Sequence, residues 1–214
     1  MNVDIDEPHL QPSERRGVDE DGHDVVEPLY VGIVTVSTSR GPDNDPGGDT
    51  AAELVRAAGG RVTARNYCSD DFAAIRETVD RLSTNAAVDC VVTTGGTGMT
   101  MDDVTPTACE GLFERTIPGF GELFRYVSYE EIGHRAMASR ATAGVVAGTP
   151  VFCLPGSRSA VETALLELIL PEAPHIAGLA TRHRYAVESD KSTGDGAERE
   201  EQEEGEGEGV SPDQ

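Results

Sequence analysis

Two uninterrupted apolar, β-branched runs constrain this chain's fold more than anything else in it. Leu29–Ser37 reads LYVGIVTVS and Val88–Thr94 reads VDCVVTT, and each runs into a loop rich in glycine or aspartate. A strand with one wet face alternates apolar and polar residues, so a run that is apolar throughout belongs in a sheet covered on both faces. Helical signals fall between such runs. TAAELVRAAGG follows the loop GPDNDPGGD (41–49) and stops at Gly59-Gly60. Arg61–Tyr67 reads as a short strand. Phe72, Ile75, Val79 and Leu82 form one apolar stripe of a helix that Ser69 or Asp70 would cap. Thr105-Pro106 reads as an N-cap followed by proline at the first helical position, and Pro118 opens a further helix within 117–140. Ala143–Ala147 and Pro150–Leu154 form a hairpin candidate about Gly148-Thr149. Val161, Leu165, Leu168 and Ile169 mark a last amphipathic helix, which Pro171 and Pro174 should separate from a piece near His175–Arg182. Strands alternating with helices predict an α/β, three-layer fold: a mostly parallel sheet with helices on both faces.

The two ends have a different composition. Residues 1–27 carry nine acids and two arginines, and 186–214 carry eleven acids and two bases; together they hold most of the net charge of −22. Both are poor in large apolar residues, so 1–27 reads as a disordered acidic N-terminal extension and 186–214 as a disordered acidic tail around a folded domain at 28–185. Both ends are therefore expected to be dispensable for folding. A solvated solubility element is the bland reading of such ends. So negative a chain lacks the basic footprint that nucleic acid or an anionic membrane surface demands. It has no run of about 18 apolar residues to span a bilayer and no apolar segment of a secretory signal, which predicts a cytoplasmic protein. A single lysine stands against sixteen arginines, which fits a halophilic cytoplasm or arginine-biased codon use. Cys68, Cys90, Cys109 and Cys153 match no zinc or redox spacing and read as buried thiols.

In a parallel sheet the ligand sits beyond the carboxyl ends of the strands. Four loops qualify: 37–49, 68–71, 94–106 and 154–159. TTGGTGMTMDDVTP (93–106) is the most informative. Gly95, Gly96 and Gly98 permit positive φ and let N–H groups approach an anion, and Thr94 and Thr97 add hydroxyls. Asp102 and Asp103 follow, supplying the carboxylate that Mg²⁺ beside a phosphate requires. No Gly-Lys-Ser/Thr follows, so the loop is not a Walker A sequence, and glycine-rich turns of this kind also serve as plain connections. PGSRS (155–159) opens a helix, where Ser157 and Arg158 either attract an anion or simply cap it. Gly47 and Gly48 open another helix. Asp70 and Asp71 stand at a strand–helix junction, as caps or as a second carboxylate facing the pocket. His134 and Arg140 read as solvent contacts. There is no convincing nucleophile, which favours direct transfer between bound substrates.

These motifs resemble the MoaB/MogA family of molybdenum cofactor biosynthesis over roughly residues 29–182. TTGGTG followed by DVTP is the family's signature, and TVS, PGFGELFR, SYEEIG, SRA and LPGS fall in family order, closer to the MoaB branch. The resemblance implies the molybdopterin-binding fold and an adenylyl transfer from Mg·ATP to the terminal phosphate of molybdopterin, releasing pyrophosphate. It implies Asp70 and Asp103 as catalytic and Mg²⁺-holding residues, with Asp71 as an alternate to Asp70. It also implies ligand contacts at Ser37, Asp45, Gly48, Thr94, Gly95, Gly96, Thr97, Gly98, Ser139, Pro155, Gly156 and Ser157. A homo-oligomer, trimer or hexamer, and other proteins of the cofactor pathway are the implied partners. The chain departs from the pattern at Gly47, where relatives carry serine, and at Asp102, often arginine or glycine. A non-catalytic molybdopterin carrier of the MoaB branch is the alternative; a CinA-like pyrophosphatase would need an additional domain.

Overall fold

The two apolar runs lie side by side at the centre of one sheet. A computed structural model describes residues 5–182. In chain order the elements are β1 (Arg16–Val18), β2 (Asp24–Val26), β3 (Tyr30–Val36), α1 (Pro46–Ala57), β4 (Arg61–Cys68), α2 (Phe72–Ser83), β5 (Cys90–Thr94), α3 (Thr105–Glu110), β6 (Arg115–Thr116), α4 (Pro118–Ile132), β7 (Thr142–Val146), β8 (Thr149–Leu154) and α5 (Arg158–Ala164). The main sheet has the order β4-β3-β5-β8-β7-β6. β4, β3, β5 and β8 run parallel, and β7 and β6 continue the sheet antiparallel. β1 and β2 pair separately as an antiparallel hairpin.

The layers follow from strand alternation. Val31, Ile33, Val92, Phe152 and Leu154 pack into one core with residues of α1, α4 and α5. Val34, Val36, Val91, Val151 and Cys153 face the other way, into a second core with residues of α2 and α3. Helices thus cover both faces. The β7–β8 hairpin turns at Ala147 (φ 49°) and Gly148 (φ 78°), both left-handed, as a two-residue primed turn requires.

Several boundaries differ from the sequence reading. Asp71, rather than Ser69 or Asp70, caps α2 by accepting the Ala74 N–H at 2.9 Å. α3 begins at Thr105 with Val104 as its cap, so Pro106 is one position further in. Pro171 does not break the last helix. α5 passes through a π turn at Leu165–Ile169 and continues helically over 170–182. The wide turn just ahead of Pro171 relieves the clash between its ring and the preceding carbonyls.

The largest departure is at the N-terminus. Residues 5–27 are an ordered strap, not a disordered extension. Asp6 donates its N–H to the Val62 carbonyl (2.7 Å) and holds Arg56 and the Val62 N–H with its carboxylate. Arg15 is fully buried: it lies 3.8 Å over the Tyr30 ring and pairs with Asp89, whose carboxylate also takes the Tyr30 N–H at 2.9 Å. The Tyr30 hydroxyl accepts the N–H groups of His9 and Leu10. Charge composition misses this, because the strap is held by specific polar contacts and one buried ion pair rather than by an apolar stripe. The body containing the sheet extends to Ala180. The acidic tail, 186–214, lies outside the described residues.

Candidate functional site

At the carboxyl edge of the sheet, the loops after β3, β5 and β8 are tied together. Ser37 organises the first: its Oγ accepts the N–H groups of Ser39 and Arg40, both at 3.2 Å. Arg40 then reaches across and donates to the Gly156 carbonyl at 2.7 Å. On the other side, Asp70 accepts the Thr38 N–H at 2.8 Å.

Asp45 is buried and fully engaged. It caps α1 through the Gly48 N–H (2.9 Å), accepts the Thr35 hydroxyl (2.6 Å) and pairs with Arg65 (3.0 Å). Gly48 is required by that packing, since a Cβ there would stand 2.0 Å from the Asp45 carboxylate. A Cβ at Gly47 would meet the Gly156 carbonyl at 3.1 Å and the Thr94 hydroxyl at 3.7 Å. Thr94 is buried, and its hydroxyl has no protein partner.

The glycine loop follows β5. Gly95 (φ 108°) and Gly96 (φ 65°) take left-handed backbone, and side chains there would strike the Val36 carbonyl and the Thr105 hydroxyl at 2.3 Å. The loop folds back on Asp103, which accepts both the N–H (2.8 Å) and the hydroxyl (2.6 Å) of Thr100. The Thr100 hydroxyl, the N–H groups of Thr100 and Gly98, and the charge of Arg140 hold the Asp103 carboxyl below its ordinary range, against the opposing effect of burial. Arg140 braces the same loop: Nε donates to the Gly98 carbonyl at 2.8 Å, its guanidinium reaches the Asp103 carbonyl, and its own N–H donates to Thr97. It is therefore no solvent contact, as its position in an irregular stretch suggested.

These loops enclose a cavity of about 280 Å³. Gly96, Thr97, Gly98, Asp103, Ser139, Pro155, Gly156 and Ser157 line it, all residues singled out in the sequence. Ser157 caps α5 through the Ala160 N–H. The structure does not bring Ser37, Asp45, Gly48, Asp70, Thr94 or Gly95 to the lining; they shape the loops behind it. Asp70 lies two residues beyond the end of β4, two strands from β5, a lateral offset of about 10 Å. Asp102 is exposed and outside the lining, so its charge stays in solvent. Sequence reasoning missed Phe124, Ser128, Glu131, Ile132 and Ala136, which form the cavity's far wall. The run SYEEI contains three of them at one helical face, a signal that only the packing of α4 against α5 turns into a wall. Among the described residues no three His, Cys, Asp or Glu side chains form a metal cage. The hard-oxygen set at Asp103 still fits Mg²⁺, which takes one or two carboxylates together with substrate phosphates.

Burial keeps the thiols out of the chemistry. Cys68 is pushed up to about 11, chiefly by desolvation, and Cys90 is pushed higher still. All four cysteines are free; Cys90, Cys109 and Cys153 are buried as expected, whereas Cys68 is half-buried.

Fold and site together define a class: a three-layer α/β protein with a glycine-loop pocket at the carboxyl edge of its sheet. Residues 32–175 match the family described as "Probable molybdopterin binding domain", and the chain belongs to that family. It is 45% identical over 145 residues to molybdenum cofactor biosynthesis protein B of Bacillus cereus, covering 67% of this chain and 86% of that one. The crystal structure of a molybdenum cofactor biosynthesis protein B superposes with a TM-score of 0.70 at 42% identity, over 72% of this chain and 96% of that one. The tungsten cofactor synthesizing protein MoaB from Pyrococcus furiosus gives a TM-score of 0.59 at 35% identity, over 72% of this chain and 98% of that one.

Proposed function

We propose that this chain acts in molybdenum cofactor biosynthesis as a cytoplasmic molybdopterin adenylyltransferase, using Mg·ATP and releasing pyrophosphate. The observation that carries the reading is Asp103: an aspartate held ionised on the wall of a cavity whose floor is the glycine loop. The N–H groups of Gly96 and Thr97 would bind phosphate oxygens without a charged side chain, and the hydroxyls of Ser139 and Ser157 would orient the second substrate. Asp103 would hold Mg²⁺ together with the phosphates; the ion, when bound, neutralises charge developing on the leaving pyrophosphate. Arg140 and Thr100 fix the loop so that no reorganisation is needed during transfer. Asp70 contributes by fixing the 37–40 loop, through which Arg40 reaches Gly156.

A second reading is a molybdopterin carrier without transferase activity. It is favoured by the placement of Asp70, which is not on the cavity lining, and by Gly47, which supplies no hydroxyl. Purified protein mixed with molybdopterin and Mg·ATP across a range of KCl concentrations separates the two. Adenylyl-molybdopterin detected by mass spectrometry supports the transferase. Molybdopterin binding with no adenylylated product at any salt concentration leaves the carrier.

A further inference from the structure

Where the strap meets the C-terminal helix, two histidines face each other that the pocket does not use. The β1–β2 hairpin lies directly on the helix over 170–182. At Gly178 the contact is so close that a Cβ would stand 2.2 Å from the Asp24 carbonyl oxygen. One turn earlier on that helix, His175 faces His23 of the hairpin's turn, with ring centroids 5.1 Å apart. Each imidazole is held by a carboxylate of its own element through Nδ1: His23 by Asp19 at 3.3 Å and His175 by Glu172 at 2.8 Å. Nε2 is left in each ring as the nitrogen without a partner. The pair borders a hollow of about 470 Å³ that Asp21 and Glu27 also line.

We propose that His23 and His175 together bind one borderline divalent transition-metal ion, of the Zn²⁺, Ni²⁺ or Cu²⁺ class, which clasps the N-terminal hairpin to the C-terminal helix. Imidazole nitrogen is the preferred protein ligand for these ions, and a carboxylate on Nδ1 is the usual outer partner of a metal-bound histidine. The spacing fits. With metal–nitrogen bonds of about 2.0–2.1 Å, two imidazoles at a tetrahedral angle have ring centres about 5 Å apart. Asp19, Asp21, Glu27 and Glu172 make the hollow negative, which draws in a cation, and water completes the coordination, since among the described residues no third side chain joins the pair as a ligand. Neither histidine lines the cavity of the glycine loop, so the site is separate from the proposed transferase chemistry.

The test uses the full chain, freed of metal with a chelator and titrated with Zn²⁺ or Co²⁺ at high salt, which suppresses loose binding by the acidic residues. His23→Gln replaces an exposed side chain and His175→Gln a partly exposed one, each with a polar residue whose folding is checked by unfolding without metal, and Glu172→Gln keeps both imidazoles. One equivalent should bind wild type tightly, raise its unfolding temperature and give Co²⁺ visible absorption. Either histidine variant should lose the thermal shift and the absorption, and Glu172→Gln should bind about 10-fold more weakly. Equal binding and equal thermal shifts in wild type and both histidine variants would overturn the proposal. So would the absence of binding by wild type up to about 1 mM metal.

Discussion

The two ends of the central strands are held by opposite means. At the carboxyl ends, backbone does the work: glycine φ values, and carbonyls gripped by Arg40 and Arg140. At the amino ends, side chains do it: Arg15 stacked on Tyr30 and paired with Asp89, and Asp6 gripping Arg56 and Val62. The difference teaches how stability and function are divided. The carboxyl edge keeps polar atoms available, including the buried, unpartnered Thr94 hydroxyl. At the amino edge charged groups are paired with one another, Arg15 with Asp89 and Arg56 with Asp6. A site that must receive a ligand keeps polar groups and a cavity for it, whereas a structural clamp joins its charges in internal ion pairs.

Four perturbations sharpen or break that contrast. The largest effect is expected at the clamp. Arg15→Ala leaves Asp89 half-buried without its partner and should cost about 3–5 kcal/mol in denaturant unfolding. A loss under about 1 kcal/mol would mean the strap is the dispensable extension its charge suggested. Next comes Asp103→Asn, which keeps size and removes charge. Turnover should fall on the order of 10²-fold or more, about 2.7 kcal/mol, with unfolding and molybdopterin binding much less affected. If binding falls as far as turnover, the carboxylate serves ground-state binding and the transferase reading weakens.

Thr94→Val is smaller and tests the idle hydroxyl. Replacing an unpartnered buried polar group by an apolar one of similar shape should leave stability unchanged or raise it by up to about 1 kcal/mol. A destabilised variant would show that the hydroxyl is already satisfied. The smallest effect concerns pH. The Asp103 carboxyl lies below its ordinary value of about 3.9, so its hold on the loop is complete above that value and is lost as pH falls through the lowered one. Protection of the Thr100 amide against exchange, relative to the intrinsic rate at the same pH, should therefore persist at neutral pH and fall only in acid. Loss of that protection near neutrality would remove Asp103 as the loop's anchor.

The sequence by itself determined the layers and the main loop. Apolar runs without alternation forced Tyr30–Val36 and Cys90–Thr94 into the sheet's centre, because only a doubly covered strand can bury every side chain. The glycines after β5 announced themselves because positive φ is a local property that residue type dictates. The hairpin was legible through Gly148, although the turn falls at Ala147-Gly148, one residue earlier than the Gly148-Thr149 read from the sequence, and eight site residues named from the sequence do line one cavity. What tertiary structure decided was partnership. Nothing local says that Arg15 will find Asp89, 74 positions away, or that Arg140 will grip the loop at Gly98 and Asp103. Nor does spacing tell that Asp71 caps a helix while its neighbour Asp70 fastens Thr38. Propensity and periodicity act over a few residues, where backbone geometry fixes the neighbours. An ion pair or a cavity wall depends on which distant elements the packed sheet brings within about 3 Å, and that is settled only when the whole sheet is assembled.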